Sequence, residues 1–131
     1  MILDDVGEYL EDNGIGTLAT DLFLGELPDD PAAAVAVFEY AGGPPNKQAG
    51  TRTPGVQILC RASDYAAARI KIEAVYQLLG AIGDEFQDTA PGGVTINGTT
   101  YLKFDEVQDP FPLQVDQSGR QILAQNYLVT Y

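Results

Sequence analysis

Residues 54–82 read PGVQILCRASDYAAARIKIEAVYQLLGAI, and a change of rhythm inside this stretch decides the fold. Residues 56–61 form a short run rich in apolar and β-branched side chains, which predicts a strand. From Ser63-Asp64 onward the spacing turns helical. Tyr65, Ala68, Ile72, Val75, Leu79 and Ile82 trace one face, and Tyr76 and Leu78 widen it. Ser63 is a suitable N-cap, so a helix is expected from there to about Ile82. Arg69 and Glu73 stand four apart in the less favourable order, and their pairing is assigned little energy. This helix has the strongest period in the chain and reads as the main core element, laid on a sheet. Cys60, mid-strand beside Leu59, reads as a small buried hydrophobe.

Working outward toward lower numbers, Ile2, Leu3, Val6, Tyr9 and Leu10 recur at helical spacing, with Asp4, Asp5, Glu8 and Glu11 on the other face. That predicts a short amphipathic helix ending near Asn13-Gly14. Residues 17–24 and 34–40 read as strands separated by the breaker cluster Pro28-Asp29-Asp30-Pro31, and the short connection predicts an antiparallel pair. Residues 41–54, AGGPPNKQAGTRTP, have no apolar period and read as a loop that contacts a partner. Toward higher numbers, residues 93–96 and 99–104 flank Asn97-Gly98, a two-residue hairpin signal. Residues 113–115 and 121–130 form a second hairpin around Asp116-Gln117-Ser118-Gly119. The order is α-β-β-β-α-β-β-β-β: one α+β domain spanning 1–131, a mostly antiparallel sheet with two helices packed on it.

Charge is segregated along the chain. The sequence has 131 residues, 19 acids, 7 bases and no histidine, for a net charge of −12. Residues 1–45 hold ten acids and no base, and the first cation is Lys47. Residues 46–75 hold Lys47, Arg52, Arg61, Arg69 and Lys71 against Asp64 and Glu73. Such an acidic field opposes tight binding to nucleic acid, where Lys and Arg neutralise phosphate. Without histidine the commonest general base is missing, and Ser63 and Ser118 have no ordinary activating partner. One cysteine excludes an internal disulfide and a cysteine zinc cluster. Gly14-Ile15-Gly16-Thr17-Leu18-Ala19 fits a relaxed dinucleotide pattern, but it follows a helix and enters a strand, the reverse of what phosphate cradling needs. The acid pairs Asp4-Asp5, Asp29-Asp30, Asp84-Glu85 and Asp105-Glu106 lack calcium-loop spacing and read as solvated turns and helix starts. No catalytic residue, metal or cofactor is expected. The acidic start and the absence of a long apolar run predict neither export nor membrane insertion, and the chain is expected to be made in a reducing cytoplasm.

The segments LDDVGEYLEDNGIG (3–16), LFLGELPDDP (22–31), VFEYAGGPP (37–45), PGVQILCRASDYAAARIKIEAVYQLL (54–79) and PFPLQVDQSGRQILAQNYLVTY (110–131) together resemble the tailed-phage minor capsid proteins. These in turn are similar to the tail terminator, or tail completion and head–tail joining, proteins of long-tailed phages. The resemblance implies a structural virion protein and not an enzyme. It further implies a subunit that self-associates as a hexameric ring, caps the tail tube and meets the head–tail connector, while DNA passes through without specific binding. Within that frame Lys47, Arg52, Thr53 and Arg61 are expected to dock a partner, and Tyr127, Val129 and Tyr131 to form an edge strand or subunit interface. A stopper or other neck component, and a small acidic ligand-binding domain or carboxylate-based hydrolase, are the alternatives.

Overall fold

The computed structural model describes residues 1–86 and 90–131. In chain order the elements are α1 (Ile2–Asp12), β1 (Leu22–Leu24), β2 (Ala34–Asn46), β3 (Thr51–Ala62), α2 (Tyr65–Gly80), β4 (Val94–Ile96), β5 (Thr99–Tyr101), β6 (Lys103–Glu106), β7 (Phe111–Val115) and β8 (Gln121–Thr130). The expected order of helices and strands is present, with the stretch 99–104 divided at Leu102 into β5 and β6. The main sheet runs β1-β2-β3-β8-β6, with β7 also paired to β8, and β4 and β5 form a separate ribbon.

Alternation assigns the two faces of the sheet. Val35, Val37, Val56, Ile58, Cys60, Leu123, Tyr127 and Val129 join Val6 and Leu10 of α1 and Ala68, Ile72, Val75 and Leu79 of α2 in the principal core. A smaller cluster of Ala36, Leu59, Ile122 and Ala124 lies apart from it, with Leu27, Phe38 and Phe111 packed alongside. The α2 cap is one residue later than expected: Asp64 has extended backbone, and its carboxylate accepts from the Ala67 N–H at 2.8 Å. Helix geometry stops at Gly80, so Tyr65 is exposed in the first turn and Ile82 is buried beyond the last.

Two expectations about pairing are corrected. β1 runs parallel to β2, with Leu22 opposite Val35 and Leu24 opposite Val37. The 25–33 connection does not form a hairpin. Its carbonyls find a partner in Arg61, which is 4% exposed and donates to Ala32 O at 3.1 Å, Pro28 O at 2.5 Å and Pro31 O at 2.6 Å. That guanidinium replaces the ladder a hairpin would have supplied, so the chain can double back and enter β2 alongside β1. Arg120 secures the same connection, donating to Asp29 O at 2.5 Å, while Asp116 accepts from the Arg120 Nε at 2.7 Å.

The second correction concerns β8, which is an inner strand. Residues 121–128 pair with β3, and residues 127–130 pair with β6 on the other side. Tyr127 and Val129 are buried at 0% exposure. Their ladder bonds are already taken within the chain, so they form no sheet edge.

Polar anchoring fixes the β4–β5 ribbon against α1. Asn97 and Gly98 both have positive φ, 50° and 81°, as a two-residue turn of this kind demands. The Asn97 amide donates to Asp5 at 3.0 Å and to Glu8 at 2.7 Å. Asp5, 3% exposed, also accepts from the buried Tyr101 hydroxyl. Burial first, and then this bond to Asp5, push the Tyr101 phenol above its ordinary pKa.

Candidate docking site

The segment 41–54 is not a loop. Its two arms continue β2 and β3 as a projecting ribbon, with Tyr40 opposite Gly55, Gly43 opposite Thr53 and Asn46 opposite Thr51. Register shifts after Tyr40 and again after Gly43 absorb the Gly-Gly-Pro-Pro run that reads as a breaker in sequence. A Cβ on Gly42 would run into the Thr53 carbonyl and stand 2.6 Å from the Gly55 nitrogen, so only glycine fits at this crossing. At the tip, the Asn46 carboxamide accepts from the Gln48 and Ala49 N–H groups, both at 3.1 Å, and closes the turn on itself.

The β3 arm of the ribbon is held, close to the tip, by the residue that follows β8. Arg52 and Tyr131 exchange backbone hydrogen bonds at 2.6 and 3.1 Å, and the Arg52 guanidinium lies 5.6 Å from the centre of the Tyr131 ring. Tyr40 packs flat over Gly55, where a Cβ would stand 2.6 Å from its ring, and donates its hydroxyl to Tyr127 O at 2.9 Å. These contacts hold the ribbon, while residues 41–50 are exposed throughout.

The structure brings three of the expected docking residues together. Lys47 is at the exposed tip, Arg52 on the exposed flank and Thr53 half-buried beside it. Arg61 is not among them. It is buried under the 25–33 connection with its donors engaged, and burial followed by the nearby Arg120 lowers its pKa, only partly offset by Asp116, Asp29 and Asp30. Tyr131 lies beside the β3 arm of the ribbon at Arg52, whereas Tyr127 and Val129 belong to the core.

A second feature was hidden in sequence. The acid pairs Asp84-Glu85 and Asp105-Glu106 meet at one groove of about 430 Å³, lined also by Gly80, Phe86 and Lys103. Lys103 is bonded to Asp105 at 3.2 Å. Glu106 lies against Gly80 at the end of α2, where a Cβ would collide with its carboxylate. The last turn of α2 carries no basic residue to offset its carbonyl ends. Among the described residues no three His, Cys, Asp or Glu side chains are grouped to hold a metal ion. Cys60 is wholly buried, and that burial pushes its thiol pKa up to about 12. The arrangement suits recognition by charge and shape.

Residues 9–131 match the family profile described as bacteriophage tail terminator protein. The chain belongs to this family. No match was found among the curated proteins. Membership of the tail terminator family gives the chain a structural role in the phage tail, in association with other tail and neck proteins. Among the described residues no helix is long and apolar enough to cross a membrane. The family match begins at Tyr9, so it leaves out most of α1 but takes in the ribbon, the groove and the whole sheet.

Proposed function

We propose that this chain assembles as a ring, a hexamer by its resemblance, that closes the end of a finished tail tube and presents its other face to the head–tail connector. The observation that carries this reading is the tail terminator match over residues 9–131. Two physical features support it. The projecting ribbon is a contact element that its own subunit leaves exposed at Lys47 and Arg52, with Thr53 half-buried beside them. The net charge of −12 suits a wall past which DNA slides, because a surface poor in cations neutralises few phosphates and does not trap the duplex. Action by fit alone needs no catalytic group, and the virion neck is where such a ring works.

The test is removal and restoration in a phage that carries this chain. Without it, tubes should lack a cap, vary in length and fail to join heads, and the purified chain should restore joining. Tails of uniform length that join heads in its absence would overturn the proposal.

A further inference from the structure

We infer that the tip of the 41–54 ribbon docks into the acidic groove between α2 and β6 of a second copy, setting Lys47 and Arg52 against Asp105, Glu106 and the Asp84-Glu85 pair. The inference rests on the ring reading above and names the contact that would close it.

The first argument is symmetry. Subunits that join head to tail around a ring need two different surfaces that complement one another, and the rotation brings one to the other. The ribbon continues β2 and β3, while the groove flanks β6 at one end of the strand order β1-β2-β3-β8-β6. They are separate parts of one subunit, as a heterologous contact requires.

The second argument is charge. From Tyr40 to Ser63 the chain has no acid, and neither Lys47 nor Arg52 makes an ion pair among the described residues. The groove has the opposite character: among the described residues that line it, Glu85, Asp105 and Glu106 outnumber the ammonium of Lys103, at a helix end whose own carbonyl dipole adds negative potential. Copies each carrying −12 repel at long range, and an attractive contact between opposite patches both opposes that repulsion and fixes the register.

The third argument is reach. Four residues separate Gly55 from Thr51 on the straighter arm, so at roughly 3.3 Å per residue the paired ribbon runs about 13 Å past the Tyr40–Gly55 pair, and only the turn at 46–51 passes the Arg52–Tyr131 bonds. That turn, with Lys47 exposed on it, is the part of the ribbon free to meet a neighbouring subunit. The half-buried groove floor and the fully exposed Phe86 at its rim, 98% accessible, offer such a tip both charge and apolar contact.

The test uses charge reversal and cross-linking on the full chain mixed with tail tubes. Lys47→Glu/Arg52→Glu and, separately, Asp105→Lys/Glu106→Lys should each reduce ring formation at least tenfold by negative-stain counting. All four substitutions in one chain should restore it. Asp4→Lys/Asp12→Lys changes net charge as much as the groove reversal but lies on α1, and it should leave rings intact. Thermal melting of each variant separates lost assembly from lost folding. Lys47→Cys combined with Asp105→Cys should give, on oxidation, a ladder of linked subunits that ends at the closed ring, while either cysteine alone gives none. If the parent chain forms no rings on tubes, the ring reading and this contact fall together. If rings form but the groove reversal leaves them unchanged, or the paired cysteines do not link neighbours, the contact alone falls.

Discussion

Two β-ribbons leave the body of this protein, and their tips are treated in opposite ways. The tip of β4–β5 is Asn97-Gly98, and its Asn97 amide reaches α1, where Asp5 and Glu8 receive it. The tip of β2–β3 uses Asn46 to close its own turn, leaving Lys47 in solvent. Both turns need an asparagine, yet one amide is spent on the rest of the molecule and the other on its own backbone. A ribbon whose polar groups are engaged by its own subunit is part of the fold. One whose tip is self-sufficient is free to meet something else.

The comparison is most sharply broken at Asp5. Asp5→Ala removes the acceptor of the buried Tyr101 hydroxyl and one acceptor of Asn97, and a loss of about 2–4 kcal/mol in urea unfolding is expected. An effect under about 1 kcal/mol would mean that the β4–β5 ribbon is held by packing alone.

Alkaline titration tests the same ribbon more gently. The folded Tyr101 phenol has a raised pKa, so its contribution is fully present below the unfolded value near 10. Above that, the unfolded state releases the proton first and stability falls as pH rises. Tyr127 behaves in the same sense, its phenol raised chiefly by burial, with Glu106 next. Tyr101→Phe should flatten part of the loss between pH 10 and 11 while lowering stability at pH 7, as read by denaturant midpoints. Tyr127→Phe should flatten it without that penalty, because the buried Tyr127 hydroxyl has no hydrogen-bond partner among the described residues.

The projecting ribbon should respond differently. Gly42→Ala disturbs the crossing with Thr53 and should distort the ribbon, abolishing ring formation while costing roughly 1–2 kcal/mol of stability. The smallest effect is expected from Lys47→Ala/Arg52→Ala, within about 0.5 kcal/mol of the parent in thermal unfolding, since exposed side chains away from packed features contribute little. A large loss there would show that the ribbon stabilises its own subunit.

Local signals in the sequence carried much of this. The period of α2, the Asn97-Gly98 turn and the Asp116 turn are each written in neighbouring residues, and each appears in the structure where the spacing places it. What sequence hides is non-local. Gly42-Gly43-Pro44-Pro45 reads as a break because the bulges that accommodate it belong to the pairing with residues 51–55. The parallel β1 depends on a guanidinium from residue 61 satisfying carbonyls at 28, 31 and 32. Arg61 reads as one more docking cation because burial of a charge is invisible until its acceptors converge. The candidate site divides the same way. The onset of positive charge singles out Lys47 and Arg52 as candidates, but the groove is not legible, because its acid pairs lie twenty-one positions apart and read singly as solvated turns.

The central place of β8 carries a kinetic implication. A strand numbered 121–130 lies between β3 and β6, so the middle of the sheet stays unzipped until one of its latest segments is available. Contacts spanning some seventy positions dominate that step, and such topologies mature slowly and all at once. A subunit emerging during infection would therefore complete its sheet in one late event, and half-made copies would be poor competitors for a place in the particle.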